Sequence, residues 1–137
     1  MIFTGHSLGG ALATLSASQW AAPRLVTFGS PRVGNVAFVG TVKAEAVARY
    51  VDCCDTVTRV PPETPWYTHV GATVYIDSGG QLRTSITQEK IEADRTMARN
   101  EYLRDEAWRT GAVLVRDLAD HASINYERAL FPACEAG

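Results

Sequence analysis

Apolar and polar positions change their period several times along this chain, and each change marks an element. Met1-Ile2-Phe3-Thr4 is a short apolar run. It is followed by Leu8, Leu12 and Leu15 at helical spacing, with the small residues Ala11, Ala13, Ser16 and Ala17 between them. That order predicts a strand and then a helix able to lie close on a sheet. Arg24 to Phe28 is a second apolar run, closed by Gly29-Ser30-Pro31, and reads as a buried strand ending in a turn. Val36 to Ala48, with Phe38, Val39, Val42 and Val47, predicts a helix, and Arg49 to Cys53 a third strand. Strand and helix in alternation give an α/β architecture with a parallel sheet covered on both faces.

Beyond Asp55 the pattern changes. Pro61, Pro62 and Pro65 interrupt regular structure, and His69 to Asp77 then alternates apolar and polar residues. Ser78-Gly79-Gly80 turns, and Gln81 to Ile86 can pair back, which predicts a hairpin. Thr87 to Thr110 is dense in charges of both signs, with an incomplete apolar stripe of Ile91, Met97, Tyr102 and Trp108. It reads as a solvated surface helix, the alternative being a segment that caps the site. An apolar run, Ala112 to Val115, leads to His121 and a closing helix.

Composition narrows the partners. A chain of 137 residues with 46% hydrophobic residues is sized for one domain with a real core, read here as 1–137. The formal net charge of -2 leaves no basic excess for phosphates and argues against nucleic acid. No run approaches the length of a membrane span, and no basic, apolar signal segment opens the chain. Cys53, Cys54 and Cys134 are odd in number, and two of them are adjacent, so a disulfide framework is not expected. Without C-x-x-C spacing or clustered histidines, no metal site is expected either.

The chemistry gathers at Gly5-His6-Ser7-Leu8-Gly9, a G-x-S-x-G sequence between the first strand and first helix. A nucleophilic serine on a sharp strand-to-helix turn needs glycines two places before and after it for the backbones to approach. Ser7 is the candidate nucleophile, and the Leu8 N–H is the candidate oxyanion donor. His6 sits beside Ser7 in sequence, but a sharp turn points neighbouring side chains apart, and His6 reads as a packed structural residue. A serine hydroxyl needs a histidine to take its proton and a carboxylate to fix that histidine. With the chain order Ser, acid, His, the bases are His69 and His121. Asp55, beyond the third strand, is preferred as the acid over Asp52. His121, in a loop before a helix, is preferred over the strand-edge His69.

These residues carry a family resemblance. GHSLGGALA (5–13), TFGSPRVGN (27–35), RYV (49–51) with DTVTRVPP (55–62), HVG (69–71) with VYID (74–77), and DH (120–121) with NY (125–126) resemble successive blocks of the class 3, fungal-type triacylglycerol lipases. The resemblance covers most of the chain apart from the charged segment near 87–110. It implies an α/β-hydrolase-like parallel sheet with flanking helices and a C-terminal hairpin, the N-terminal strands missing. It also implies Ser7, Asp55 and His121 as nucleophile, acid and base, with Leu8 supplying the elbow donor of the oxyanion hole. The implied activity is hydrolysis of lipid or other carboxylic esters through an acyl-enzyme, with no metal or organic cofactor and with a membrane or lipid-droplet surface among the implied interfaces.

In the family several strands, a second oxyanion donor and a lid precede the nucleophile, whereas Ser7 has six residues before it. The expectation is therefore the C-terminal half of a lipase, with the edge of the first strand an unpaired apolar row. Two readings stay open: a hydrolase, or an inactive remnant or interaction fragment that depends on a partner. Acyl chain, head group and oligomeric state are left unassigned by these residues.

Overall fold

The structure, a computed structural model, describes residues 1–106, 108–110 and 115–135. They divide into two compact units, 1–51 with 57–74, and 52–56 with 75–137.

In the first unit, β1 (Ile2–His6), β2 (Ala22–Phe28) and β3 (Ala44–Asp52, whose last residue belongs to the second unit) lie side by side and parallel. Ile2 pairs with Arg24 and His6 with Phe28. Ala22 pairs with Ala44 and Phe28 with Tyr50. Helix α1 (Leu8–Gln19) connects β1 to β2, which is the crossover that parallel strands require. The α/β architecture expected from alternation is the one observed.

Two details differ from the sequence reading. The expected helix over 36–48 stops early: α2 spans only Val36–Val39, and strand β3 begins at Ala44 rather than Arg49. Asn35 caps α2 by accepting from the Phe38 amide at 3.0 Å, and Gly40 ends it. Ala44, Ala46 and Ala48 favour a helix locally, but they pair in register with Ala22, Arg24 and Val26 of β2, and tertiary pairing outweighs propensity.

The second difference is the face of α1. Gly10, Ala11, Ala13, Thr14, Ala17 and Ser18 are its buried residues, whereas Leu8, Leu12 and Leu15 are exposed, Leu8 at 68%. Small side chains let the helix approach the strands closely, so the apolar residues turn outward. Ala13 and Ala17 pack with Leu25 as a small core, against which Phe3, Val42, Ala44 and Val47 lie. Phe28 and Tyr50 stack on neighbouring strands with ring centroids 5.1 Å apart.

In the second unit, the end of β4 (Ala72–Ile76) pairs antiparallel with β5 (Leu82–Arg83), Tyr75 with Arg83 and Ile76 with Leu82. The hairpin is present but short. Helices α3 (Gln88–Asp105), α4 (Arg116–Ala119) and α5 (Ser123–Glu135) follow. Residues 112–114 of the expected apolar run lie outside the described residues. The charged segment forms α3 as a helix, but it is anchored more firmly than a solvated surface helix. Ile91, Arg95 and Ala98 are buried, and the anchor is largely polar. Asp94 accepts from the Tyr75 hydroxyl at 2.7 Å, the Ser78 amide at 3.0 Å and the Ser78 hydroxyl at 2.5 Å. Arg95 donates from Nε to the Cys53 carbonyl at 2.7 Å. A hydropathy stripe does not register such contacts.

Close backbone approach at the β1–α1 junction gives a test. A Cβ on Gly5 would lie 2.3 Å from the carbonyl carbon and oxygen of Gly9, whereas a Cβ on Gly9 would meet nothing within 4 Å. Gly5→Ala is expected to lower the unfolding free energy by about 1–3 kcal/mol through overpacking. Gly9→Ala is expected to be neutral or slightly stabilising, since alanine is the better helix former. Chemical denaturation of both variants checks the contrast, and equal stabilities would refute the contact.

Candidate active site

Ser7 occupies the turn between β1 and α1 with φ 56°, and among the described residues it is the non-glycine residue with positive φ. Such a backbone costs about 1–3 kcal/mol and persists where its surroundings fix it. Here the Ser7 amide donates to the Phe28 carbonyl at 2.9 Å, and the Ser7 carbonyl accepts from the Gly10 amide at 2.9 Å. The local sequence therefore builds the strained turn that a nucleophile elbow requires. Leu8 opens α1, where first-turn amides have no acceptor within the helix. His6 is half-buried at the end of β1.

The second unit brings Asp55 and His121 together. Asp55 lies three residues past β3 and is fully buried. His121 sits in the turn between α4 and α5, with Nδ1 3.0 Å from each Asp55 carboxylate oxygen. The Tyr126 hydroxyl donates to Asp55 Oδ2 at 2.6 Å and accepts from the Asp52 amide at 3.0 Å. With the carboxylate accepting, the Nδ1 of His121 carries its proton and Nε2 is left as the basic nitrogen. Burial with the Asp55 carboxylate nearby pushes the Tyr126 hydroxyl well above its usual pKa, which keeps it a donor.

Asp52 and His69 take other positions. Asp52 is buried and accepts from the Cys53 amide through Oδ1 at 2.8 Å. Burial, reinforced by the Asp120 carboxylate, raises its pKa from 3.8 to about 7. His69 lies in the first unit with Nε2 2.7 Å from the Thr58 carbonyl, and burial and then Arg49 lower its pKa to about 4. A neutral ring held on a carbonyl is a structural arrangement.

Sequence reasoning left several contributors unassigned. Tyr126 stood in the closing NY pair without a role. Asp120, next to His121, accepts from the Cys54 amide and from Arg116 Nε through the same oxygen, each at 3.0 Å. The signal in each case is a polar residue that becomes buried, which only packing reveals. Cys53, Cys54 and Asp120 each offer a ligand atom, all within 4.8 Å of one another. Three donors fall short of the four of a structural zinc site, and the Asp120 carboxylate already serves Arg116 and a backbone amide. A cavity of about 660 Å³ in this unit is bounded by Asp52, Ile76, Ser78, Arg116, Asp120 and Asn125 among others.

Comparison with known proteins places these observations. Residues 1–64 match the class 3 lipase family, "Lipase (class 3)". The chain is 38% identical over 97 residues to "Secreted mono- and diacylglycerol lipase 1" of Fusarium solani, a match covering 66% of this chain and 29% of that lipase. It is 39% identical over 90 residues to a lipase of Rhizopus oryzae, covering 58% of this chain and 23% of that one. The solved lipase of Rhizopus microsporus var. chinensis aligns over 55% of this chain and 30% of that one, at 36% identity and a TM-score of 0.49. The chain spans less than a third of the length of these relatives. Its similarity to the class 3 lipases by family model lies in residues 1–64.

Two measurements probe the buried network. Tyr126→Phe leaves the Asp52 amide and an Asp55 oxygen without that partner and is expected to destabilise by about 1–3 kcal/mol in urea titration; an unchanged midpoint would contradict the bridge. Asp52 binds its proton more tightly folded than unfolded, so its contribution to stability is complete below about pH 3.8 and is lost as pH rises through about 7. Asp52→Asn, which keeps the acceptor oxygen and cannot ionise, is expected to flatten the decline of unfolding free energy across that window. A variant with the same decline as the parent would refute the assignment.

Proposed function

We propose that this chain carries the reacting groups of a serine carboxylic-ester hydrolase that acts on lipid esters through an acyl-enzyme. Ser7 is the nucleophile, His121 the base, Asp55 the acid and the Leu8 N–H an oxyanion donor. The observation that carries the reading is the buried Asp55 carboxylate that accepts from His121 Nδ1. It fixes one tautomer and stabilises the imidazolium that forms when Nε2 takes the serine proton. The strained turn at Ser7 supports the same reading independently.

In the proposed sequence, the Ser7 hydroxyl oxygen adds to the ester carbonyl while His121 Nε2 takes its proton. The oxyanion is met by the Leu8 amide at the positive end of α1. Collapse expels the alcohol, protonated by His121, and leaves an acyl-Ser7 ester that water cleaves by the same route. This chemistry requires no metal or organic cofactor. Mono- and diacylglycerols are the substrate class, from the names of the secreted fungal relatives.

A second reading, a segment that works through contact with a lipid surface or partner, draws on the outward Leu8, Leu12 and Leu15 and on exposed Met1 and Ile2. Such an apolar set calls for a cover.

A fluorophosphonate probe is expected to label the folded protein at Ser7. Ser7→Ala should abolish labelling, and His121→Asn or Asp55→Asn should slow it by about a thousandfold or more. Labelling that survives Ser7→Ala would overturn the assignment. A folded monomer in size-exclusion chromatography that hydrolyses a short-chain nitrophenyl ester is expected if no partner is needed. Hydrolysis that appears only with a partner or vesicle would support the second reading.

A further inference from the structure

Cys53 and Cys54 are adjacent in sequence, both fully buried, and their sulfurs lie 3.5 Å apart in the second unit. We propose that this pair is a redox modification site: hydrogen peroxide converts the two thiols to a vicinal disulfide, which displaces the neighbouring Asp55.

The thiols differ in a way that suits this chemistry. Cys53 Sγ is 3.4 Å from Asp94 Oδ2, while Cys54 Sγ is 3.6 Å from the Arg95 carbonyl. The hydrogen bond with Cys53 lowers the pKa of Cys54 against burial and the Asp120 carboxylate, which raise it, with Arg99 and Arg116 on the lowering side. Cys53 lies against the Asp94 carboxylate, which disfavours a thiolate there, and in this proposal Cys54 is the attacking sulfur and Cys53 the resolving one. Neither sulfur borders the cavity of about 660 Å³, but Asp120 is one of its walls. The Asp120 carboxylate lies within 4.8 Å of both sulfurs, and in this proposal that side chain must move for a small neutral oxidant to reach them.

The steps balance. The Cys54 thiolate displaces hydroxide from peroxide to give a sulfenic acid. Cys53 Sγ then attacks the Cys54 sulfur, loses its proton and releases the sulfenic oxygen as water. Overall, two thiols and one peroxide give one disulfide and two waters, the thiols being oxidised and the peroxide reduced.

The product cannot form without moving the backbone. The sulfurs must close from 3.5 Å to about 2.05 Å, and neighbouring Cα atoms, about 3.8 Å apart, fall short of the usual span of a disulfide. The peptide that must twist donates its Cys54 amide to Asp120 and leads directly into Asp55, whose own amide donates to the Asp52 carbonyl at 3.0 Å. Strain of this kind makes the bond readily reducible, and the change is reversible. The consequence for reactivity rests on the hydrolase reading, whereas the disulfide itself does not.

The test treats the intact chain with hydrogen peroxide and follows it by mass spectrometry, with alkylation to count thiols. The expected result is loss of two hydrogens, localised to the Cys53–Cys54 peptide and reversed by dithiothreitol, leaving one of the three thiols free. Cys53→Ala and Cys54→Ala should each fail to lose the two hydrogens. Addition of oxygens instead, a bond to Cys134, or a stoichiometric zinc ion that protects both thiols would overturn the proposal. In the oxidised protein the His121 Nδ1 proton resonance should shift, and fluorophosphonate labelling of Ser7 should slow by about a hundredfold. A disulfide that leaves the resonance and the labelling unmoved would overturn the coupling. If the reduced protein is never labelled, the hydrolase reading fails, and the mass shift alone decides the disulfide.

Discussion

The second unit is organised around a carboxylate with no access to water. Asp55 is fully buried, and a buried charge is tolerated only where donors surround it. Its donors come from distant parts of the chain: the ring of His121 in the α4–α5 turn and the hydroxyl of Tyr126 on α5. Tyr126 also takes the Asp52 amide, so one phenol joins the end of β3 to Asp55. Removing a hydrogen-bond partner from such a buried group is costly, which ties the position of α5 to Asp55.

The same logic extends outward through polar contacts. Asp120 holds the Cys54 amide and Arg116, and Arg95 reaches the Cys53 carbonyl from α3. Asp94 gathers donors from Tyr75 and Ser78. Burial alone would raise the pKa of Asp94, but these hydrogen bonds outweigh it and hold the carboxyl below its usual range. Residues 52–55 are thereby fixed on several sides by polar groups, an arrangement more orientationally demanding than apolar packing. It accounts for a helix rich in charge that is nevertheless anchored at Asp94 and Arg95.

The first unit obeys a different constraint, that of distance. The turn at Ser7 requires α1 to start against the end of β1, and only small residues allow that approach. Once glycine, alanine, threonine and serine face the sheet, the larger Leu8, Leu12 and Leu15 have nowhere to go but outward. Backbone geometry at the turn thus decides which face of the helix is apolar to the outside.

Read alone, the sequence determined the α/β alternation, the elbow at Ser7, the choice of Asp55 and His121 as candidates, and the hairpin. These are local properties: periodicity, glycine spacing, turn residues and chain order. It misjudged 36–48, where a ladder with β2 prevailed over alanine's helix preference, and the packed face of α1, where closeness mattered more than hydrophobicity. It gave no role to Tyr126, Asp120, Asp94 or Arg95, because a polar residue shows in the sequence neither its burial nor its partner. Only tertiary structure decided those, since the free energy of a buried polar group depends on which donors and acceptors the fold places around it.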